Sequence, residues 1–172
     1  MQLTHRLVLA GLPLGALAAG PVAAQTLDVS VAVPRLATAE YHAPYVAIWL
    51  ERAGTANRTL AVWYDSDNRE NGGKKWLTDL RTWWRASGRE LTLPAAGVSG
   101  ATRPPGTHRI SFTAGRGAMP ALTPGQYTLV VEAARELGGR EVLRLPFAWS
   151  GQPARAAAAG KAELGAVALT IR

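Results

Sequence analysis

Leu27, Val29, Val31 and Val33 alternate with Asp28, Ser30 and Ala32. A two-residue apolar period can be buried on one side only if the chain is extended, because successive side chains of a strand point to opposite faces. Segments of the same kind recur along the chain. Residues 45–51 are apolar as far as Leu50, as expected of a strand central in its sheet, and residues 58–65 follow as its hairpin partner. Residues 108–112, 127–135, 140–149 and 164–171 read as further strands, and Leu91-Thr92-Leu93 as a short one. Pro34, Gly54, Pro124-Gly125 and Gly138-Gly139 punctuate them, and the last pair makes 127–149 the clearest hairpin. Seven or eight short strands with no βαβ alternation predict one antiparallel immunoglobulin-like β-sandwich spanning residues 25–172.

One stretch breaks the pattern. Three of the six tryptophans fall within residues 74–85, where Trp76, Leu80, Trp83 and Trp84 lie at helical spacings and Leu77 widens the stripe. Ser87-Gly88 supplies a stop signal, so the sequence predicts a helix over about 75–86. A helix that short is marginal alone and must pack on a sheet to persist. Residues 98–105, rich in Gly, Pro and Ser, read as a loop. Residues 152–160 are alanine-rich without an amphipathic stripe, and read as a connection.

The first residues have the form of a secretory leader: a basic start at His5-Arg6, an apolar run from Leu7 to Ala18, and small residues at Val22 and Ala24. The run is shorter than the roughly 20 residues a membrane span needs, so cleavage after Ala24 and release into the periplasm are expected. The chain holds no cysteine, which excludes thiol chemistry and disulfide staples and leaves stability to packing. All but one of the 19 Lys and Arg residues lie beyond the leader, against 12 Asp and Glu. For an exported protein that excess points to anionic small molecules, acidic proteins or lipid headgroups rather than nucleic acid.

No catalytic set emerges. Ser99 lacks the Gly-x-Ser-x-Gly frame of a nucleophile elbow, and Gly72-Gly73-Lys74-Lys75 lacks the frame of a phosphate loop. His42 and His108 are far apart in sequence and show no metal-ligand spacing. Asp65 and Asp67 beside Asn68 and Asn71 resemble the start of a calcium loop, but Trp76 stands where the distal glutamate belongs; a solvated loop is expected. What remains is an aromatic and basic constellation: Tyr41, His42, Trp63, Tyr64, Trp83, Trp84, Arg85, Arg89, Arg103 and His108. If the end of the 58–65 strand and the helix share one end of the sandwich, these groups line a shallow recognition surface.

Pro34-Arg35-Leu36, Glu40 through Trp49, Leu60 through Asp65, Trp76 through Arg85, Val98 through Arg103, Glu132 through Glu136 and Phe147 together resemble the DUF2271 family of predicted periplasmic proteins. The resemblance implies an association with PepSY-type membrane proteins and with the flavin transferase that attaches FMN to exported proteins, which makes a flavin-bearing exported protein an expected partner, and it carries over no catalytic residues. The expectation is therefore a non-enzymatic periplasmic module that recognises a partner protein or an anionic ligand through the aromatic and arginine surface. The alternative is an accessory of periplasmic electron transfer, with flavin or haem held against Trp63, Tyr64, Trp83 and Trp84. A hydrolase using residues 97–105 ranks last.

Overall fold

The computed structural model describes residues 25–38, 40–66 and 69–172. The expected leader, residues 1–24, and the loop residues Asp67 and Asn68 lie outside them. Two sheets are stacked. One contains β1 (Thr26–Val33), β5 (Gly106–Thr113), β8 (Ala154–Ala159) and β9 (Ala166–Ile171), in the order β5-β1-β9-β8. The other contains β2 (Tyr45–Glu51), β3 (Arg58–Tyr64), β4 (Ser99–Ala101), β6 (Gly125–Ala134) and β7 (Arg140–Trp149), in the order β4-β3-β2-β6-β7. Every pairing is antiparallel except β3 with β4, which is parallel.

The alternation that opens the sequence is the burial pattern of β1, whose odd-numbered residues Leu27 to Val33 are buried. Leu27, Val29 and Val31 join Val46, Ile48, Leu50, Val131 and Leu145 of the five-stranded sheet in one core. The five-stranded sheet is covered on its other face too. Tyr45, Ala47, Trp49, Val62, Tyr64 and Val130 pack there against Leu77, Leu80, Trp83 and Leu93. Burial on both sides is why β2 reads as a near-unbroken apolar run. A bulge sits where Ile48 pairs with Ala61 and Trp49 with Thr59, leaving Leu60 unmatched. The extra residue lets Thr59 face the helical layer and Leu60 the inter-sheet core.

Four expectations need correction. The helix expected over 75–86 is a 3-10 run, Arg69–Asp79, followed by a six-residue α-helix, α1 (Arg81–Ala86). Leu77, Leu80 and Trp83 are the buried apolar side chains among the described residues of this stretch, and their spacing of three is the period of a 3-10 helix. The Leu80 N–H donates to the Leu77 carbonyl at 3.2 Å in the same three-residue step. Residues 91–93 form no strand; they carry Leu91 and Leu93 onto the helical layer instead. Within the expected 98–105 loop, Ser99–Ala101 is a strand because it extends the β3 edge. Within the expected 152–160 connection, Ala154–Ala159 is a full strand paired with β9. Its Ala154, Ala156 and Ala158 turn inward, but an all-alanine face shows no contrast in sequence.

Glu132 of β6 is wholly buried and faces the helical layer. Its carboxylate accepts hydrogen bonds from the N–H groups of Thr82 (3.1 Å) and Trp83 (2.7 Å) and from Arg140 Nη1 (2.8 Å). Leu80, which precedes α1, offers no side-chain cap. The sheet therefore supplies the cap, and the negative charge sits at the favourable end of the helix.

Candidate functional site

The ten constellation residues divide between the two ends of the sandwich. The β2–β3 and β1–β5 registers place Trp63, Tyr64, Arg103, His108, Tyr41 and His42 at one end, where β3 finishes and β5 begins. The other end receives the close of α1: the Ala86 carbonyl accepts from Asn57 Nδ2 at 3.4 Å, and Ser87 Oγ lies 2.9 Å from Thr59 Oγ1. Thr59 and Trp63 are four residues apart on one strand, roughly 13 Å at 3.3 Å per residue. Arg85 and Arg89 therefore lie apart from the Trp63 group, and the 3-10 run is what reaches the Tyr64 end.

Trp83 lies in the interior, fully excluded from solvent. Its Nε1 donates to Thr59 Oγ1 at 2.9 Å, and its ring lies on Gly88, where an added Cβ would come within 2.9 Å of ring carbons. Trp84 is half-buried at its side, with ring centroids 6.1 Å apart. Tyr64 is buried as well, edge-on to Tyr45 with centroids 6.4 Å apart. The Tyr45 hydroxyl donates to the Gly73 carbonyl at 3.0 Å, and burial pushes its phenol up. Gly73 has to be glycine: a Cβ there would lie 2.0 Å from the Asp65 carbonyl oxygen.

Three of the ten converge. The Arg103 guanidinium lies 5.4 Å from the centre of the Trp63 ring, and His108 meets that ring edge-on at 5.9 Å. His108 Nε2 is 2.8 Å from the Pro104 carbonyl oxygen, which ties the 102–105 turn to β5. Trp63 is 3% exposed while Arg103 is exposed, so the indole serves as the floor and the guanidinium as the accessible group. No carboxylate among the described residues lies within ion-pair distance of Arg103. Gly100 of β4 passes beside the same ring, 3.4 Å from it at the position of a Cβ.

At the same end, His42 Nε2 lies 3.3 Å from Glu40 and its Nδ1 4.0 Å from Glu136. Tyr41, 37% exposed, lies near Arg135 and Arg35, and burial is the larger influence, raising its phenol. Arg135 pairs with the buried Glu163, which also accepts from the Gly139 N–H at 2.9 Å. These bonds fasten the β6–β7 turn to the β8–β9 turn. Among the described residues no group of three His, Asp or Glu is arranged to hold a metal ion.

Glu141 fastens the β8–β9 turn from the other side, accepting from the N–H groups of Lys161 (2.6 Å), Ala162 (3.0 Å) and Leu164 (2.9 Å). Burial opposes its charge, but these backbone bonds outweigh burial and hold its carboxyl below the usual range. The unfolded chain therefore binds the proton more readily than the folded one, and stability rises with pH across this window. The contribution is complete above the ordinary glutamate value of about 4.3 and is lost as pH falls through the folded value. An acid series of urea midpoints should fall less steeply below that range in Glu141→Gln than in the parent protein. Parallel curves would remove Glu141 from the acid response.

A family model described as predicted periplasmic protein, DUF2271, matches residues 26–166. The chain belongs to that family. In this DUF2271 protein the match runs from the first residue of β1 to the first of β9, and so takes in both sheets, the helical layer and the Trp63–Arg103–His108 cluster. The periplasmic description of the DUF2271 family is in keeping with the leader expected at residues 1–24. No curated protein and no solved structure matches the chain.

Proposed function

We propose that this DUF2271 protein is a non-enzymatic periplasmic accessory module, and that it recognises an anionic group, on a ligand or on a partner protein, at the Trp63–Arg103–His108 end of the sandwich. The observation that carries the reading is Arg103 itself. It is exposed, held over an indole and next to an imidazole, and no carboxylate of the described residues neutralises it. An arginine fork on an aromatic floor suits a planar or bidentate anion. Tyr41 and His42 at the same end widen the surface. The immunoglobulin-like reading of the scaffold is supported by the chain's passage between sheets after β1, β4, β5 and β7. Partners implied by the resemblance are a PepSY-type membrane protein or a flavin-bearing exported protein.

FMN joins a phosphate to a flat ring and is a direct probe. Titrating the exported chain with FMN, and separately with an acidic peptide, is expected to give saturable binding that weakens at least tenfold in Arg103→Ala with an unchanged melting temperature. Equal affinity in the two proteins, or no saturable binding of either probe, overturns the proposal. Binding of FMN but not of the peptide selects the flavin-linked accessory role over recognition of an acidic partner.

A further inference from the structure

The outer face of the four-stranded sheet has an organisation that the constellation above does not include. Outward positions on the two inner strands are short: Asp28, Ser30 and Ala32 on β1, Ala166, Ala168 and Thr170 on β9. The long side chains stand on the edge strands, Arg109 on β5 and Arg155 on β8. The register puts Arg109 across from Ser30, Ser30 across from Ala168, and Thr170 across from Arg155. The two arginines thus stand on opposite banks of a groove of about 420 Å³ floored by small side chains. Three interstrand steps of about 4.8 Å, with an offset of two residues of about 3.3 Å each along the strands, put their backbones roughly 16 Å apart.

The charge in this groove is not balanced from within. Asp28 accepts from Ser111 Oγ at 2.5 Å and from Arg172 Nε at 2.7 Å, so its charge is committed to Arg172. Arg109 and Arg155 have no carboxylate within ion-pair distance among the described residues. By contrast, Arg135, Arg140, Arg144 and Arg172 each have one. The hydroxyls of Ser30 and Thr170 make no hydrogen bond to another described residue, so they are open to a ligand on the floor. A sheet face that is merely solvated carries charges of both signs intermixed. Here, beside the Asp28–Arg172 pair, two further forks without a carboxylate stand on opposite banks of a floor that lets a ligand approach the backbone.

We propose that this groove is a second anion site, for a phosphate-bearing group held between Arg109 and Arg155 with Ser30 and Thr170 beneath it. Two guanidinium groups match the charge of about two on a phosphate monoester, and planar forks bind phosphate oxygens in pairs. The phosphate could belong to a free ester or to a lipid headgroup; the recognising chemistry is the same.

Calorimetric titration of the exported chain with pyrophosphate at low ionic strength, alongside sedimentation with phosphatidylglycerol vesicles, tests the proposal. Saturable binding is expected with at least one probe. It should weaken tenfold or more in Arg109→Gln/Arg155→Gln, and by less in Arg109→Lys/Arg155→Lys, which keeps the charge without the fork. Arg116→Gln, in the exposed turn after β5, should bind like the parent. Binding of pyrophosphate assigns the groove to free phosphate, and binding of vesicles alone assigns it to a lipid surface. No binding to either probe overturns the site, as does equal weakening in Arg116→Gln, which would make net charge the cause. Arg103→Ala should leave this binding intact, so failure here and failure of the Trp63 end are separable.

Discussion

Glu132→Ala is expected to destabilise the protein by about 2–5 kcal/mol, the scale of leaving two backbone N–H donors without the charged acceptor they share. The carboxylate is wholly excluded from water and serves two backbone N–H donors of α1 and the Arg140 guanidinium. Without it, Trp83 N–H, itself buried, loses its only acceptor among the described residues, and the capping charge at the start of α1 disappears. Arg140, with a side chain 39% exposed, can turn to solvent. Arg140→Ala leaves the wholly buried carboxylate its two N–H donors but no countercharge, and should cost a comparable amount. Glu132→Gln keeps a neutral acceptor and leaves no buried charge, and should cost less than either. Urea denaturation of the three variants settles the order. A Glu132→Ala protein within 1 kcal/mol of the parent would mean that the sheet does not cap this helix.

Trp83→Ala carries a comparable expectation, about 3–5 kcal/mol, because truncating a buried indole loses its transfer energy and leaves a cavity. The site is poorly placed to collapse, since rigid strands and Gly88 surround the ring. The hydroxyl of Thr59 would keep Ser87 as a partner after losing the indole donor, so most of the loss should come from packing. Trp83→Phe, which fills more of the space without the N–H, should recover a large share. Denaturation midpoints measure both. A Trp83→Phe variant as unstable as Trp83→Ala would shift the weight from packing to the hydrogen bond.

The β-strands with one buried face were legible in the sequence because polar and apolar residues mark opposite sides, as in β1. Of those buried on both sides, β2 announced itself by near-unbroken apolar content, while β3 was legible as its hairpin partner. What stayed hidden lacked contrast. The face of β8 turned inward is alanine, and the one turned outward is alanine and Arg155, so composition favoured a connection while pairing with β9 decided the outcome. The helical stretch misled through degeneracy: Trp76, Leu80, Trp83 and Trp84 fit an α-helix, but burial followed Leu77, Leu80 and Trp83. The candidate site was legible in its residue types and not in its grouping. Trp63, Arg103 and His108 come from three segments that only the β3–β4 and β5 pairings bring together, and sequence spacing holds no record of that. The outer arginine groove was legible only once β8 was known to be a strand, since Arg155 is otherwise a lone base among alanines.

The five-stranded sheet is clad on both sides, by aliphatic residues of its twin and by the tryptophan-bearing wrap. Such a slab has no broad face left to show the outside. Whatever this molecule meets must touch its rims, the outside of the wrap or the bare back of the thinner ribbon, and exposed guanidinium groups without a carboxylate partner among the described residues stand at each, Arg103, Arg85 and Arg155 in turn.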